Sequence, residues 1–294
     1  MKLYIYCTFV PADQIIPLAV LAEELGFDGI SVPDHVIYPI TYESPYPYTS
    51  DHRAPWNQEM EWPDPLAVIA TMAARTTKLR FITGVFVLPL RHPLIVAKSL
   101  STLDVLSGGR VELGIGVGWL REEFEAVDQS FAARGRRADE AIEVMRKVWT
   151  GEPVAHHGKF FDFDEIVMRP APAAPIPIYV GGASTPALDR AARLGDGFIP
   201  PVTTQEQTRQ FIDEVERRRE HFGRADAPFE IVGSAVDCAT PGELEALEAI
   251  GITTARIDPF ALYGHSYGGL SLDDRRAHLE RYAGEVLRPL RGTP

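Results

Sequence analysis

The residues best suited to chemistry fall where apolar runs end. "SVPDH" places Asp34 and His35 directly after a short β-like run at 28–33. An imidazole exchanges a proton near neutral pH, so His35 is the candidate acid–base residue; a histidine satisfied by backbone groups is the alternative. "YVGGASTPAL" (179–188) ends another such run in Gly181 and Gly182, and Ala183, Ser184, Thr185 and Pro186 then open a helix. Free N–H groups at a helix start, reached across bare glycine backbone, bind an anion without any basic side chain. An ordinary tight turn has the same sequence. Ser184 or Thr185 is the expected N-cap, and Pro186 suits the first helical turn.

Two further stretches have the same punctuation. "RFITGVFVLPLRHP" (80–93) carries Gly84 inside an otherwise β-branched and aromatic run. Such a glycine marks a bulge or a close backbone approach; a planar cofactor against it and a tight barrel bend both account for it. Arg91 and His92 follow, as anion contacts or as surface residues. "LGIGVGWLREEF" (113–124) sets Gly114, Gly116 and Gly118 on one strand face. The dinucleotide fingerprint G-x-G-x-x-G fails at Trp119, which argues against a Rossmann dehydrogenase but leaves room for a flat ring. "EEFE" (122–125) reads as an acidic helix face. "ARGRR" (133–137) reads as a solvated helix start in which Arg136 pairs with Glu140, or as a contact for an acidic cofactor tail. His156 and His157 are adjacent and diverge on a strand. With no H-E-x-x-H, C-x-x-C or G-x-S-x-G, neither a metal centre nor a nucleophile elbow is expected.

These stretches need elements to hold them. Strand-like runs at 2–10, 28–33, 79–89, 110–118, 176–182, "DGFIPPV", "FEIVGSAVD" and 253–259 alternate with helical runs. Gly26 and Gly195 stop two of the helices, and Ile142, Met145 and Trp149 share one helical face. Eight strand–helix units in this length imply parallel pairing with right-handed crossovers, hence a closed (β/α)8 TIM barrel; a doubly wound open sheet is the runner-up. One domain covers 1–294, and the Pro-rich 169–177 is an extended lead-in to a barrel strand. In such a barrel the chemistry lies at the strand C-terminal ends. Long loops are expected there at 36–63 and 260–272. The first carries Tyr38, Tyr42, Tyr46, Tyr48, Trp56 and Trp62, a wall over a flat ligand or a packing surface.

Composition narrows the partners. Of the 294 residues 45% are hydrophobic, and the net charge of −12 comes without a block of like charge, which argues against nucleic acid and anionic membranes. No run reaches the length of a membrane helix, and the first residues lack a long apolar core, so a cytoplasmic protein is expected. Cys7 and Cys238, both in strand-like runs, are expected to be reduced, buried thiols.

The order of these pieces resembles the luciferase-like monooxygenase superfamily, and within it the coenzyme F420-dependent (deazaflavin) oxidoreductases. The likeness rests on "SVPDH", the long segment "PDPLAVIATMAARTTKLRFITGVFVLPLRHPLIVAKSLSTLDVLSGGRVELGIGVGWLREEF", "RRADEAIEVMRKVW", "GKFFDF" and "IPIYVGGASTPALDRAARLGDGFIP". It covers most of 28–200, while the C-terminal third matches only in its α/β rhythm. The resemblance implies a TIM-type barrel with the cofactor at the strand C-terminal ends and His35 near the reactive edge of the ring. It implies a bulge at Gly84 and Val85, usually a non-prolyl cis peptide, backing the ring. Gly116 and Gly118 would flank the ring, and Gly181, Gly182, Ala183 and Ser184 would hold the phosphate; Asp34 joins the cofactor-binding set. One departure is Trp119, which stands where the deazaflavin-dependent sugar-phosphate dehydrogenases carry a catalytic Glu. An apolar wall for an unsaturated or carbonyl substrate suits that position better.

Three functions follow for test. The first is an oxidoreductase moving a hydride between coenzyme F420 and a small carbonyl, enone or alcohol. The second is an FMN-dependent monooxygenase supplied with reduced flavin. The third is a non-catalytic deazaflavin- or flavin-binding protein. The expected partners are a small-molecule substrate, a second copy in a homodimer and a separate reductase for F420 or FMN. An aldolase-type barrel would need a Lys at a strand end, and Lys78 and Lys98 fall at a strand start and on a helix.

Overall fold

The structure, a computed structural model, describes residues 1–264 and 269–292. Its strands are β1 (Lys2–Tyr6), β2 (Gly29–Val32), β3 (Arg80–Thr83), β4 (Phe86–Val87), β5 (Val111–Gly116), β6 (Val154–His157), β7 (Asp162–Ile166), β8 (Ile178–Gly181), β9 (Gly197–Ile199), β10 (Glu230–Ser234) and β11 (Thr254–Ile257). Pairing runs β3-β2-β1-β11-β10-β9-β8-β5, and β5 returns to β3, so eight parallel strands close a ring. The (β/α)8 barrel is therefore the observed fold, and the open doubly wound sheet is not.

Alternation along each strand divides the apolar residues between two cores. Tyr4, Ile82, Tyr179, Ile199 and Val232 fill the barrel interior. Their neighbours, among them Leu3, Phe81, Leu113, Ile178 and Ile257, face the helices. The helical layer includes α1 (Ala12–Leu25), α2 (Pro65–Ala73), α3 (Pro93–Ser107), α4 (Arg121–Ala126), α5 (Arg134–Trp149), α6 (Thr185–Leu194), α7 (Gln205–His221), α8 (Pro241–Ala249), α9 (Pro259–Gly264) and α10 (Leu272–Tyr282). Asp64 starts α2 by accepting from the N–H of Leu66 and Ala67, with Pro65 in the first turn. Gly26 and Gly108 end α1 and α3 in the left-handed region, where a side chain would be strained. Ile142, Met145 and Trp149 of α5 are buried, and the Trp149 indole donates to Ala97 O of α3 at 3.0 Å.

Four local expectations are corrected. The run at 79–89 is not one strand: it breaks at a cis Gly84–Val85 peptide into β3 and β4, and residues 88–90 form a short 3-10 turn. A Cβ on Gly84 would collide with Ser31 Oγ, so only glycine fits the break. An antiparallel hairpin, β6 with β7, lies outside the barrel. Its strands are polar and mostly exposed, so no apolar run announced it. Glu140 on α5, rather than pairing with Arg136, caps the hairpin turn by accepting from Phe160 N at 2.9 Å and Phe161 N at 2.8 Å. The span 260–272 is not all loop, because α9 reaches Gly264 and Ser271 opens α10 with a capping box; residues 265–268 of that stretch lie outside the described residues. Finally, Cys7 and Cys238 stand just beyond the ends of β1 and β10 rather than within strands. Both are free thiols, and burial pushes each up to about 12.

Candidate active site at the barrel mouth

His35 and Asp34 follow β2 at the C-terminal end of the barrel, and both are buried. The Asp34 carboxylate accepts from Val87 N at 2.8 Å and from two Arg91 guanidinium nitrogens at 2.7 and 2.8 Å. This fork ties the end of β2 to β4 and holds Arg91 over the Phe86 ring. Arg91 thus has its anion within the chain. His92 opens α3, accepting from Leu94 N at 3.3 Å.

His35 Nδ1 lies 3.1 Å from Glu123 Oε2, and the other carboxylate oxygen accepts from Val36 N at 2.6 Å. A carboxylate is an acceptor only, so it fixes the proton on Nδ1 and leaves Nε2 as the unprotonated nitrogen. Glu123 is fully buried at the side of the histidine. Its neighbour Glu122 accepts from Glu43 N at 2.7 Å and from Ser44 Oγ at 2.7 Å, which fastens the 36–63 loop to α4. Burial works to raise the Glu122 carboxyl, but the Ser44 and Glu43 donors hold it below the usual range. The acidic face expected at 122–125 is therefore two anchored carboxylates, with Glu125 exposed.

The fastened loop covers the histidine with aromatics. Trp62 meets His35 edge to face at 4.7 Å between ring centroids, and Trp119 stands at 6.2 Å. Tyr46 packs on Trp56 at 5.0 Å and on Trp119 at 5.1 Å. The indole N–H groups of Trp56 and Trp62 are buried without hydrogen-bond partners.

The glycines beside the bulge have a specific packing reason. A Cβ on Gly116 would come 2.7 Å from one Val85 methyl, and a Cβ on Gly181 would come 2.8 Å from the other. Val85 is thus seated between β5 and β8, with its side chain partly exposed at the mouth. Gly118 adopts φ +76° and lies against Phe124 and Val87, and Gly114 lies against the Thr83 carbonyl.

The turn at 181–184 leads from β8 into α6. Gly182 has φ +128°, a conformation that side chains resist. Ser184 is the N-cap residue of α6, but its side chain makes no capping bond. The turn opens onto a groove of about 690 Å³ whose walls include Ala183, Leu188, Tyr48, Thr203, Gln207 and Arg217.

Below these residues the barrel interior has two polar layers. At the floor, Arg80 Nε donates to Glu112 Oε1 at 2.7 Å, and Tyr4 OH lies 3.1 Å from both Glu112 oxygens. Burial first, and then Glu112, raise the Tyr4 phenol well above its usual range. At the mouth, Arg256 on β11 is 3% exposed and no carboxylate pairs with it. Its guanidinium lies 4.8 Å from the Tyr6 ring centroid, and one terminal nitrogen is 3.1 Å from where a Gly84 Cβ would stand. Arg256 Nε, Ser31 Oγ and Ser234 Oγ are all buried without a partner.

Sequence reasoning brought Asp34, His35, Gly84, Val85, Gly116, Gly118, Gly181, Gly182, Ala183 and Ser184 to attention, and all of them stand at this one end of the barrel. It missed Glu123, Arg256, Ser31 and Ser234. The signal for Arg256 was present: "TTARIDP" sets Thr254, Arg256 and Asp258 at alternate positions, the face that points inward. Among the described residues no group of three His, Cys, Asp or Glu side chains could hold a metal ion, and no helix is long and apolar enough to cross a membrane.

A closed barrel with a buried histidine–glutamate pair, a backbone bulge and a glycine turn at the strand C-terminal ends has the layout of a TIM-barrel enzyme. The chain belongs to the luciferase-like monooxygenase family, a family of oxidoreductases, whose model matches residues 5–289. An uncharacterized protein of Mycobacterium tuberculosis is 36% identical over 272 residues, 92% of this chain and 94% of that one. An F420-dependent glucose-6-phosphate dehydrogenase of Segniliparus rotundus is 33% identical over 190 residues, 63% of this chain and 52% of that one. A monooxygenase from Streptomyces bottropensis superposes with a TM-score of 0.75 at 24% identity, covering 98% and 99% of the two chains, and has the same fold.

Proposed function

We propose that the protein is a coenzyme F420-dependent oxidoreductase acting on a small carbonyl, enone or alcohol. The observation that carries this is the buried His35–Glu123 pair beside the Gly84–Val85 bulge, with one imidazole nitrogen free for proton exchange. Support comes from the F420-dependent dehydrogenase relative of Segniliparus rotundus. The residues also suit a planar, anionic cofactor. Partnerless polar atoms gather beside the bulge, and an uncapped helix start with Gly182 at φ +128° adjoins an open groove.

When bound, the deazaflavin supplies the hydride chemistry. Gly84 and Val85 would back its ring, Gly116 and Gly118 would flank it, and Gly181, Gly182, Ala183 and Ser184 would hold its phosphate with backbone N–H groups. Asp34 serves from behind by keeping Val87 and Arg91 in place. His35 Nε2 gives or takes the substrate proton, and Glu123 keeps the imidazole in the tautomer that can. Trp56, Trp62 and Trp119 exclude water and offer the substrate an apolar wall.

The family description favours a second reading, FMN chemistry with molecular oxygen. Parallel titrations with coenzyme F420 and FMN, combined with oxygen uptake on adding each reduced cofactor, separate the two. Saturable F420 binding without oxygen uptake supports the proposal. Tight FMN binding, no F420 binding and rapid oxygen uptake would replace it with the monooxygenase reading.

A further inference from the structure

Arg256 is anomalous for a buried arginine. A guanidinium taken out of water without a counter-charge is costly, so buried arginines are paired. At the floor of the same barrel even the half-buried Arg80 is matched, by the buried Glu112 at 2.7 Å. At the mouth Arg256 is 3% exposed and, among the described residues, has no carboxylate partner and leaves its Nε unsatisfied. The face of Tyr6 stabilises it, and a cation–π contact returns only part of the lost hydration.

Two more orphaned donors share its layer. Ser234 on β10 is the register partner of Arg256, and Ser31 on β2 is the register partner of Tyr6. Both hydroxyls are buried and unpartnered. Two of the three converge on Gly84, since both Ser31 Oγ and an Arg256 terminal nitrogen lie within 3.1 Å of the point where its Cβ would stand, and Ser234 adjoins Arg256 across the β10–β11 register. Three unsatisfied groups from three separate strands, two of them beside one bare stretch of backbone, suit the recognition of something planar and negatively charged. A guanidinium fork matches a delocalised O–C–N or O–C–O anion, which it can bind through two parallel hydrogen bonds.

We propose that Arg256, with Ser31 and Ser234, binds the negative charge that two-electron reduction places on the N–C=O edge of the cofactor's pyrimidine ring, making the barrel mouth selective for the reduced form. This inference rests on the deazaflavin reading above and adds to it a redox bias set by one side chain. In the oxidised ring any negative charge is shared with the hydroxyl oxygen at the far end of the conjugated system, and hydride addition localises it at the N–C=O edge, so the oxidised form gains less from a fixed cation there. The charge missing from the protein is the charge that reduction brings.

The test is equilibrium binding of oxidised and of reduced coenzyme F420, the latter under anaerobic conditions, to the wild type and to Arg256→Met. Loss of a charge-assisted hydrogen bond should weaken the reduced form about tenfold or more and the oxidised form less than about threefold. A second measurement needs no variant: the midpoint potential of the coenzyme bound to the wild type should rise above that of the free coenzyme, about 30 mV for each tenfold preference. A methionine variant that weakens both forms equally or neither, or a bound potential that is unshifted or lowered, overturns the inference while leaving F420 binding intact. A wild type that binds neither form overturns this inference and the proposed function together.

Discussion

The floor and the mouth of this barrel are built from the same eight strands, a few residues apart, and they treat buried polarity in opposite ways. At the floor Arg80 is answered by Glu112, and Tyr4 by both Glu112 oxygens. At the mouth Asp34 and His35 are matched by Arg91 and Glu123, but Arg256 Nε, Ser31 Oγ and Ser234 Oγ are buried without a partner among the described residues. A satisfied polar network specifies and rigidifies a core, whereas an unsatisfied one is retained where something else completes it. We therefore assign the floor to folding and propose the mouth for binding.

Substitutions at the two levels should therefore separate function from stability. The largest effect is expected from His35→Ala at the mouth. Removing the acid–base group should lower turnover by about 100- to 10,000-fold. Coenzyme affinity, read by fluorescence titration, should stay near the wild-type value. Equal turnover in stopped-flow reduction would remove His35 from the chemistry and leave the mouth as a binding surface only.

Next comes Glu112→Leu at the floor. It strands Arg80 and Tyr4, and breaking a buried pair should cost about 3 kcal/mol, the low end for such pairs because Arg80 keeps some access to water. Urea unfolding measures this directly. Coenzyme affinity of the folded variant should not change. A variant as stable as the wild type, or one that folds well but loses the coenzyme, would erase the distinction between the layers.

The smallest effect lies outside the barrel. Glu140 caps the β6–β7 turn, and although burial works the other way, the Phe160 and Phe161 N–H groups lower its carboxyl below the usual range. A lowered folded value means the contribution is present in full above the unfolded value and is lost as pH falls through the folded one. Glu140→Gln should thus be less stable than the wild type by about 1 kcal/mol at neutral pH, with the gap closing in acid. A gap that widens in acid would reverse the assigned sign.

The two layers were also unequally legible in the sequence. Strand ends at the mouth carry punctuation: "PDH", Gly84, "GVGW" and "GGAST" each interrupt an apolar run, and alternation alone orders eight such runs into a barrel. Glu123 was hidden because a Glu in "REEFEA" looks solvated. Only tertiary packing turns that short helix so that Glu123 and Phe124 face inward. The β6–β7 hairpin was hidden because its strands bury little and depend on Glu140 for their turn. Arg256 and Glu112 sit at inward positions of strands whose period is readable, but which charge is paired depends on register across the ring. Val85 between Gly116 and Gly181 is a relation of the same kind, invisible until β5 and β8 are placed side by side.

The contrast between floor and mouth is tested most directly by hydrogen exchange with and without oxidised coenzyme F420. Bound coenzyme should slow exchange at the backbone amides of 31–36, 84–87, 116–120 and 181–185, and leave the amides of 2–4, 80–82 and 111–113 unchanged. Protection that spreads equally over both ends of the strands, or that spares the mouth, would contradict the account.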